Sequence, residues 1–168
     1  MNKLALALLL LFVSAVADDT ITDSGNAFSA SVVVDAWTGA NAFAYLYNPS
    51  NSGKTVYVDK IVTTHNASVQ GGSGCDIRSH NSHRGTFRTF GKNKFIGLAD
   101  SSAKLMYGNV MPHEIFGSIV YECWQPARLH DGHYEFKEAF RLPPGYGIAV
   151  WSAHQGTYLI ATFEFREY

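Results

Sequence analysis

The sequence predicts an all-β protein: a single antiparallel β-sandwich or jelly roll that follows an N-terminal apolar segment. First, apolar residues recur at every second position along most of the chain, the period of a half-buried strand. Second, these stretches are separated by clusters of Gly, Pro, Asn and Ser, as in sandwiches. Third, the 168 residues are 46% hydrophobic and 14% aromatic, which supplies a core and excludes a disordered chain. We expect one domain, residues 18–168.

The start of the chain has the layout of a secretory signal. Lys3 precedes the apolar stretch 4–13, and the small residues Ala15 and Ala17 precede Asp18. The stretch is shorter than the roughly 20 residues that span a bilayer. We therefore expect residues 1–17 to be a signal peptide, an exported product, and no membrane association after cleavage. The alternative is an uncleaved apolar tail used for anchoring or assembly.

Strands follow in chain order wherever the two-residue period holds. The segments are 28–36, 42–47, 56–62, 87–90, 114–123, 134–140, 148–152 and 158–165. Segments 56–62 and 158–165 are the clearest, because β-branched and aromatic residues dominate them. Turn formers lie at 48–53, 70–74 and 142–145. One turn of helix is predicted near residues 101–105.

The two cysteines after the signal, Cys75 and Cys123, predict a disulfide. An exported protein meets an oxidising compartment, where an even number of cysteines is more often paired than reactive. If the chain is not exported, two buried thiols are the alternative.

Charge argues against one class of partner. The chain has 13 Lys and Arg against 14 Asp and Glu, for a net charge of -1, and no basic cluster. Nucleic-acid binding depends on such a cluster, so we expect no nucleic-acid partner.

Four histidines are the weak candidates for a metal site, in the pairs His80 and His83, and His130 and His133. Both pairs fall in turn-rich stretches, so only the fold could bring the four rings together. Solvated loop histidines are the simpler interpretation, and we expect no metal and no cofactor.

Catalytic motifs are missing from the sequence. It contains no Gly-x-Ser-x-Gly elbow, no phosphate-binding glycine loop and no His-Glu-x-x-His helix. A pair of glycosidase carboxylates leaves no local signature, so that alternative stays open. We expect a protein that is not an enzyme.

Aromatic residues next to turns are the stronger indication of binding. Sugar rings stack their C–H faces on Trp and Tyr, which makes Trp37, Trp124 and Tyr146 candidate ligand-binding residues. Core or interface packing is the alternative for each of them. Trp151 lies within a strand pattern and is predicted to be core.

Two stretches carry a family resemblance. Residues 46–61 hold an Asn-Pro-x-x-Ser-Gly-Lys turn that leads into an alternating strand, and residues 142–150 hold a Pro-Gly turn before the terminal Phe163-Glu164-Phe165 strand. The chain resembles small jelly-roll proteins of tailed bacteriophage virions, of the tail-fibre, head-fibre and receptor-binding kind. The signal-like start departs from that group, whose members assemble in the cytoplasm.

The resemblance implies a non-catalytic structural or adhesive module, commonly a trimer. We therefore expect a self-associating virion-associated or surface-exposed protein that binds a host-surface glycan or protein. A secreted bacterial carbohydrate- or protein-binding sandwich is the second hypothesis. A hydrolase or metal enzyme on a jelly roll is the third.

Overall fold

Strands make up most of the part of the chain that the structure describes. The computed structural model describes residues 26–65, 73–94, 97–125, 131–152 and 154–168. Within them lie the strands β1 (Ala27–Val34), β2 (Asn41–Tyr47), β3 (Val56–His65), β4 (Ser73–His80), β5 (Thr86–Phe90), β6 (Lys92–Asn93), β7 (Lys104–Val110), β8 (Ser118–Gln125), β9 (Asp131–Leu142), β10 (Gly147–Ser152) and β11 (Leu159–Glu167). A short 3₁₀ turn, Pro112–Glu114, lies between β7 and β8. The predicted signal peptide, residues 1–17, lies outside the described residues.

The strands form two antiparallel sheets packed as a β-sandwich, which confirms the predicted all-β class. The five-stranded sheet has the order β6-β1-β11-β3-β9, and the six-stranded sheet has the order β5-β7-β2-β10-β4-β8. With β5, β6 and β7 set aside, eight strands remain. If these eight strands are numbered 1 to 8 in chain order, one sheet has the order 1-8-3-6 and the other has the order 2-7-4-5.

No helix in the described residues is both long and apolar enough to cross a membrane.

The main core lies between the two sheets. Strands β1 and β11 pair in register from Ala27 opposite Arg166 to Val34 opposite Leu159, and every second residue of both is buried. The rings of Phe28 and Phe165 stack with centroids 5.7 Å apart. The alternating strands predicted near both ends of the chain are therefore present, and their apolar face is the core.

A second apolar cluster covers the outer face of the six-stranded sheet. Strand β2 is buried on both faces: Ala42, Ala44 and Leu46 join the main core, while Phe43, Tyr45 and Tyr47 join the outer cluster. Trp151 of β10 lies in the outer cluster and is 1% exposed. The prediction that Trp151 is a core residue is confirmed. Residues Ile115 and Phe116 pack onto this cluster from the segment between β7 and β8.

Three predicted elements are wrong in detail. The helical turn near 101–105 is absent, because β7 begins at Lys104 and Leu105 pairs with Leu46 of β2. The predicted turn 70–74 ends in a strand, since Ser73 opens β4. The predicted strand 114–123 starts only at Ser118, because the 3₁₀ turn and then Gly117, with φ at 84°, precede it.

The buried carboxylate of Glu167 ties the end of β11 to the segment before β7. Its Oε1 accepts hydrogen bonds from the Ala103 N–H at 2.9 Å, from the Ser102 hydroxyl at 3.0 Å and from the Ser101 hydroxyl. Its Oε2 lies 3.1 Å from Lys54 Nζ. Burial raises the pKa of Glu167, but these hydrogen bonds outweigh it and hold the pKa below its usual 4.5.

The two turns that carry the family resemblance contact each other. Buried Asn48 donates its side-chain N–H groups to the carbonyls of Lys54 and Leu142, at 2.8 and 2.9 Å. Its backbone N–H donates to the Tyr146 carbonyl at 2.9 Å, and its carbonyl accepts from Gly145 N–H at 2.8 Å. The Asn-Pro turn and the Pro-Gly turn therefore form one hydrogen-bonded corner of the sandwich.

Candidate functional site

An open groove of about 710 Å³ lies beside β7 and the outer cluster. We call it the aromatic groove, and its lining includes Trp37, Phe43, Arg84, Tyr107, Glu114 and Phe116. These residues come from five separate parts of the chain: the turn after β1, strand β2, the connection between β4 and β5, strand β7, and the connection between β7 and β8. The pairing of β2 with β7 is what brings them together.

Trp37 reaches the groove from a tight turn. Ala40 N–H donates to the Trp37 carbonyl at 3.1 Å, and Gly39, third in this four-residue turn, has φ at 91°. A positive φ at that position favours glycine. The Trp37 side chain is 57% exposed, so the predicted ligand-binding tryptophan presents its ring to solvent at the groove.

Two glycines, Gly85 and Gly108, shape the base of the groove. Gly108 of β7 lies opposite Phe43 of β2, and a Cβ on Gly108 would come within 2.8 Å of the Phe43 ring. Gly85 has φ at 83°, and a Cβ there would lie 2.7 Å from the Tyr107 carbonyl oxygen. The Phe43 ring thus occupies space that any larger residue at either glycine would take.

Phe116 clamps the aromatic rings beneath the groove. Its ring centroid lies 4.7 Å from that of Trp151 and 5.2 Å from that of Phe43, both in edge-to-face geometry. Phe43 and Trp151 lie 4.8 Å apart. Edge-to-face pairs at these spacings stabilise beyond the burial of area alone, so this side of the groove is preorganised.

Arg84 is held by two neighbours at the edge of the groove. Its Nε–H donates to His80 Nε2 at 3.4 Å, and its guanidinium carbon lies 5.7 Å from the centre of the Phe116 ring. His80 Nε2 also lies 2.9 Å from the Ser82 hydroxyl. Because arginine Nε always carries a proton, His80 Nε2 is the acceptor and the neutral imidazole carries its proton on Nδ1.

Burial and the nearby charge of Arg84 favour the neutral form of His80. Burial, and then the positive charge of Arg84, lower the pKa of His80 below 6.5. The Tyr45 hydroxyl donates to the carbonyls of Ser82 and His80 at 2.9 and 3.3 Å, and burial raises its pKa. The neutral ring and the neutral phenol therefore fix the end of β4 and the loop that carries Arg84.

Ser82 and His80 are close enough to act as a nucleophile and its base, but a hydrolytic site would also need a carboxylate that orients the histidine. In a hydrolytic triad a carboxylate orients the histidine through its other ring nitrogen. Among the described residues no carboxylate contacts His80. Arg84 also shares the nitrogen that would act as the base. The arrangement positions Arg84 rather than activating Ser82.

The structure does not bring the three predicted ligand-binding residues together. Tyr146 is exposed and lines a separate cavity of about 250 Å³ with His80, Asn81 and Ser118. Trp124 lies on β8, opposite Gly74 of β4, and its side chain is outside the described part of the structure. Of the three, Trp37 lines the aromatic groove.

The candidate metal-ligating histidines lie on both sheets. His80 ends β4 of the six-stranded sheet, whereas His133 pairs with Val62 in the five-stranded sheet. His83 packs its ring edge-on to Tyr47 at 5.6 Å, and His130 is outside the described residues. His80 is the last residue of β4 rather than a loop residue, and its partly buried ring lies 4.9 Å from that of Phe116. No group of three or more potential ligands forms a metal site in the described residues.

The predicted disulfide partners occupy facing positions. Cys75 of β4 is directly opposite Cys123 of β8 in the backbone register. Opposite residues of antiparallel strands have Cα atoms about 4.5–5.5 Å apart, which is within the range that disulfides span. The register supports the predicted bond, which remains a prediction.

Sequence reasoning missed most of the groove. Phe43 lies in the predicted strand 42–47, but the sequence did not indicate which face of that strand is buried. No strand or helix was predicted for the segments that hold Arg84 and Tyr107. The available signal was Gly108, a glycine inside a strand, which often marks close approach of another group. The chain matches no known protein family, and comparisons with curated proteins and with solved structures also find no match.

Proposed function

We propose that this chain is a non-catalytic structural and adhesive β-sandwich module, exposed on a virion or cell surface, that binds glycan through the aromatic groove. The observation that carries the proposal is Trp37, a tryptophan with 57% exposure at a preorganised groove. Tryptophan is enriched where proteins make contacts, because its large ring is apolar and its N–H can still donate. Stacking of a sugar ring is the contact that its flat apolar face suits.

The rest of the groove has the mixed character of a saccharide site. Its volume, about 710 Å³, is in the range of small-ligand sites. Aromatic rings form one part of the lining, and Thr86, Asn109 and Glu114 contribute polar groups. Sugars need both, because their C–H faces stack while their hydroxyls donate and accept hydrogen bonds.

Self-association, with a trimer favoured, is part of the proposal. Strand β5 is an edge strand that exposes Phe87 by 46% and Phe90 by 40%, and their ring centroids lie 5.1 Å apart. At the opposite edge of the sheet, β8 exposes Ile119 and Val120. Exposed apolar residues on edge strands favour a covering partner. Three copies would also multiply the avidity of a weak glycan site.

A virion role is supported by the family resemblance and by strand order. The order described above for eight strands, with β1, β11, β3 and β9 in one sheet, is the order expected of a jelly roll. The Asn-Pro and Pro-Gly turns on which the resemblance rests lie at one corner, joined through Asn48. A secreted bacterial glycan-binding domain is the alternative setting for the same groove.

Glycan-array binding of the purified chain tests the proposal, with Trp37→Ala and Tyr146→Ala as a matched pair. Both replace an exposed aromatic residue, but only Trp37 lines the aromatic groove. We expect Trp37→Ala to weaken binding about 10-fold or more and Tyr146→Ala to leave it unchanged. If Tyr146→Ala lost glycan binding and Trp37→Ala did not, the binding site would lie in the smaller cavity that Tyr146 lines. Absence of binding to any glycan would overturn the proposal.

A further inference from the structure

We propose that the glycan bound in the aromatic groove is an acidic saccharide, whose carboxylate is held by the guanidinium group of Arg84. This inference rests on the glycan-binding function proposed above and specifies its ligand class. It depends on how Arg84 is positioned, on which of its hydrogen-bond donors are used, and on the other charged group in the groove.

Among the described residues no acceptor contacts the terminal Nη groups of Arg84. Nε–H donates to His80, and the guanidinium carbon lies over the Phe116 ring. No carboxylate among the described residues pairs with Arg84. By contrast, Arg166 makes two hydrogen bonds with Asp59, at 2.9 and 2.6 Å. The Nε–H of Arg84 is thus held by His80, while its two terminal NH₂ groups can donate two parallel hydrogen bonds to a carboxylate.

The partners of Arg84 restrict the side chain before any ligand arrives. An arginine loses several rotatable bonds on binding, and that entropy normally subtracts from affinity. Here the hydrogen bond to neutral His80 and the packing on Phe116 already reduce the side-chain entropy of Arg84 in the unliganded protein, so less entropy is lost on binding. Arg84 is exposed, but these contacts hold its guanidinium group at the edge of the groove, where it can meet an anion.

Glu114 decides between an acidic saccharide and an acidic peptide. It lines the same groove, and its Oε2 accepts the Met111 N–H at 3.3 Å. In the described residues no cation pairs with it. A run of acidic side chains would meet repulsion from Glu114. A saccharide with one carboxylate would place that group at Arg84 and offer hydroxyl donors to Glu114, while Trp37 stacks on a ring.

The experiment compares a neutral oligosaccharide that carries one galacturonate residue with its methyl ester by isothermal titration calorimetry on the full chain. The ester keeps the ring and the hydroxyls but removes the charge. We expect the acid to bind about 10-fold or more tightly than the ester. Arg84→Gln should remove that difference, and Arg84→Lys, which keeps the charge without the fork, should restore only part of it. Thermal unfolding of each variant checks that it folds.

Arg88→Gln is the matched control, because Arg88 is exposed nearby on β5 and lines a different cavity. It should leave the preference for the acid intact. Equal binding of acid and ester would overturn this inference and leave the glycan-binding proposal standing. Binding of poly-glutamate as tight as that of the oligosaccharide with one galacturonate would overturn the saccharide class. No binding of either saccharide here, together with an empty glycan array, would overturn both proposals.

Discussion

Glu167 illustrates at the scale of one residue how burial and charge can coexist. Taking a carboxylate out of water is costly unless hydrogen bonds replace the lost hydration. Backbone and side-chain donors from residues 101–103 supply that replacement, and Lys54 supplies the opposite charge. The net effect is a pKa below 4.5, so the charged form is the one that the fold favours.

Glu167→Gln should lower the free energy of unfolding by about 2–3 kcal/mol at neutral pH, because an amide turns one acceptor into a donor facing other donors. Chemical denaturation measures the change. Glu164→Gln is the control: the side chains of Glu164 and Lys94 are each 35% exposed, and their ion pair should contribute about 1 kcal/mol or less. Equal losses in the two variants would contradict the role given to Glu167.

The same residue predicts an acid limit to stability. A pKa that is lower in the folded than in the unfolded state contributes stability above about pH 4.5, and this is lost as pH falls through the folded pKa. The difference in stability between the natural chain and Glu167→Gln should therefore shrink as pH is lowered from 4.5. A constant difference down to the acid transition would argue against the lowered pKa.

At the scale of elements, β7 and β2 together make the groove. The register places Gly108 against Phe43, and the Phe43 ring fills the space above the glycine. The groove therefore depends on the absence of a side chain at one position of a central strand pair. Nothing in the local sequence of β7 reveals the ring that fills this space.

Gly108→Ala should destabilise the chain by about 1–3 kcal/mol and weaken glycan binding, since its Cβ would overlap the Phe43 ring. Thermal unfolding and array binding measure the two effects. Phe43→Leu provides the control, because a smaller side chain leaves room for the new methyl group. The double variant should lose less stability than the sum of the single ones. Simple additivity would contradict the close contact.

The pairing of β4 with β8 predicts a cross-strand disulfide between Cys75 and Cys123. Intact mass of the non-reduced chain should be lower than that of the reduced chain by two hydrogen atoms. Reduction should cost about 3–5 kcal/mol of stability. Cys75→Ser and Cys123→Ser should each reproduce that loss and no longer respond to reductant. Two thiols titrating in the native, non-reduced chain would rule out the bond.

At the scale of the whole molecule, both edges of the six-stranded sheet combine exposed apolar residues with a bulge. The register of β5 with β7 shifts between Phe87 and Thr89, and that of β4 with β8 shifts between Ile77 and Arg78. Bulges twist an edge away from further strand pairing. The proposed association of copies is therefore expected to use side chains on these edges rather than an extended sheet.

Phe87→Lys should convert the proposed trimer to monomers while changing unfolding by about 0.5 kcal/mol or less, because Phe87 is exposed at the edge. Light scattering at a fixed protein concentration measures the mass. Val33→Lys is the control, since Val33 is also exposed but lies on the five-stranded sheet. A monomeric natural chain would contradict self-association, and an unaltered mass in Phe87→Lys would exclude the β5 edge.

The sequence by itself determined the all-β class, the strands around Phe28 and Phe163, and the burial of Trp151. These follow from a two-residue period and from the drive to bury apolar side chains, both of which are local properties. It also named Trp37, with Trp124 and Tyr146, as an aromatic residue next to a turn, but not whether its side chain is exposed. The start of β8 was misplaced because a glycine with positive φ and a 3₁₀ turn interrupt an apolar run.

Only the tertiary structure decided where Trp37 lies and what surrounds it. The groove depends on residues such as Phe43, Arg84 and Gly108, which are far apart in sequence and meet through the pairing of β2 with β7 and the packing of Phe116. The alternation within each strand names the buried face but not the strand that covers it. Which faces meet is set by the order of strands in the sheets, which is a property of the whole chain.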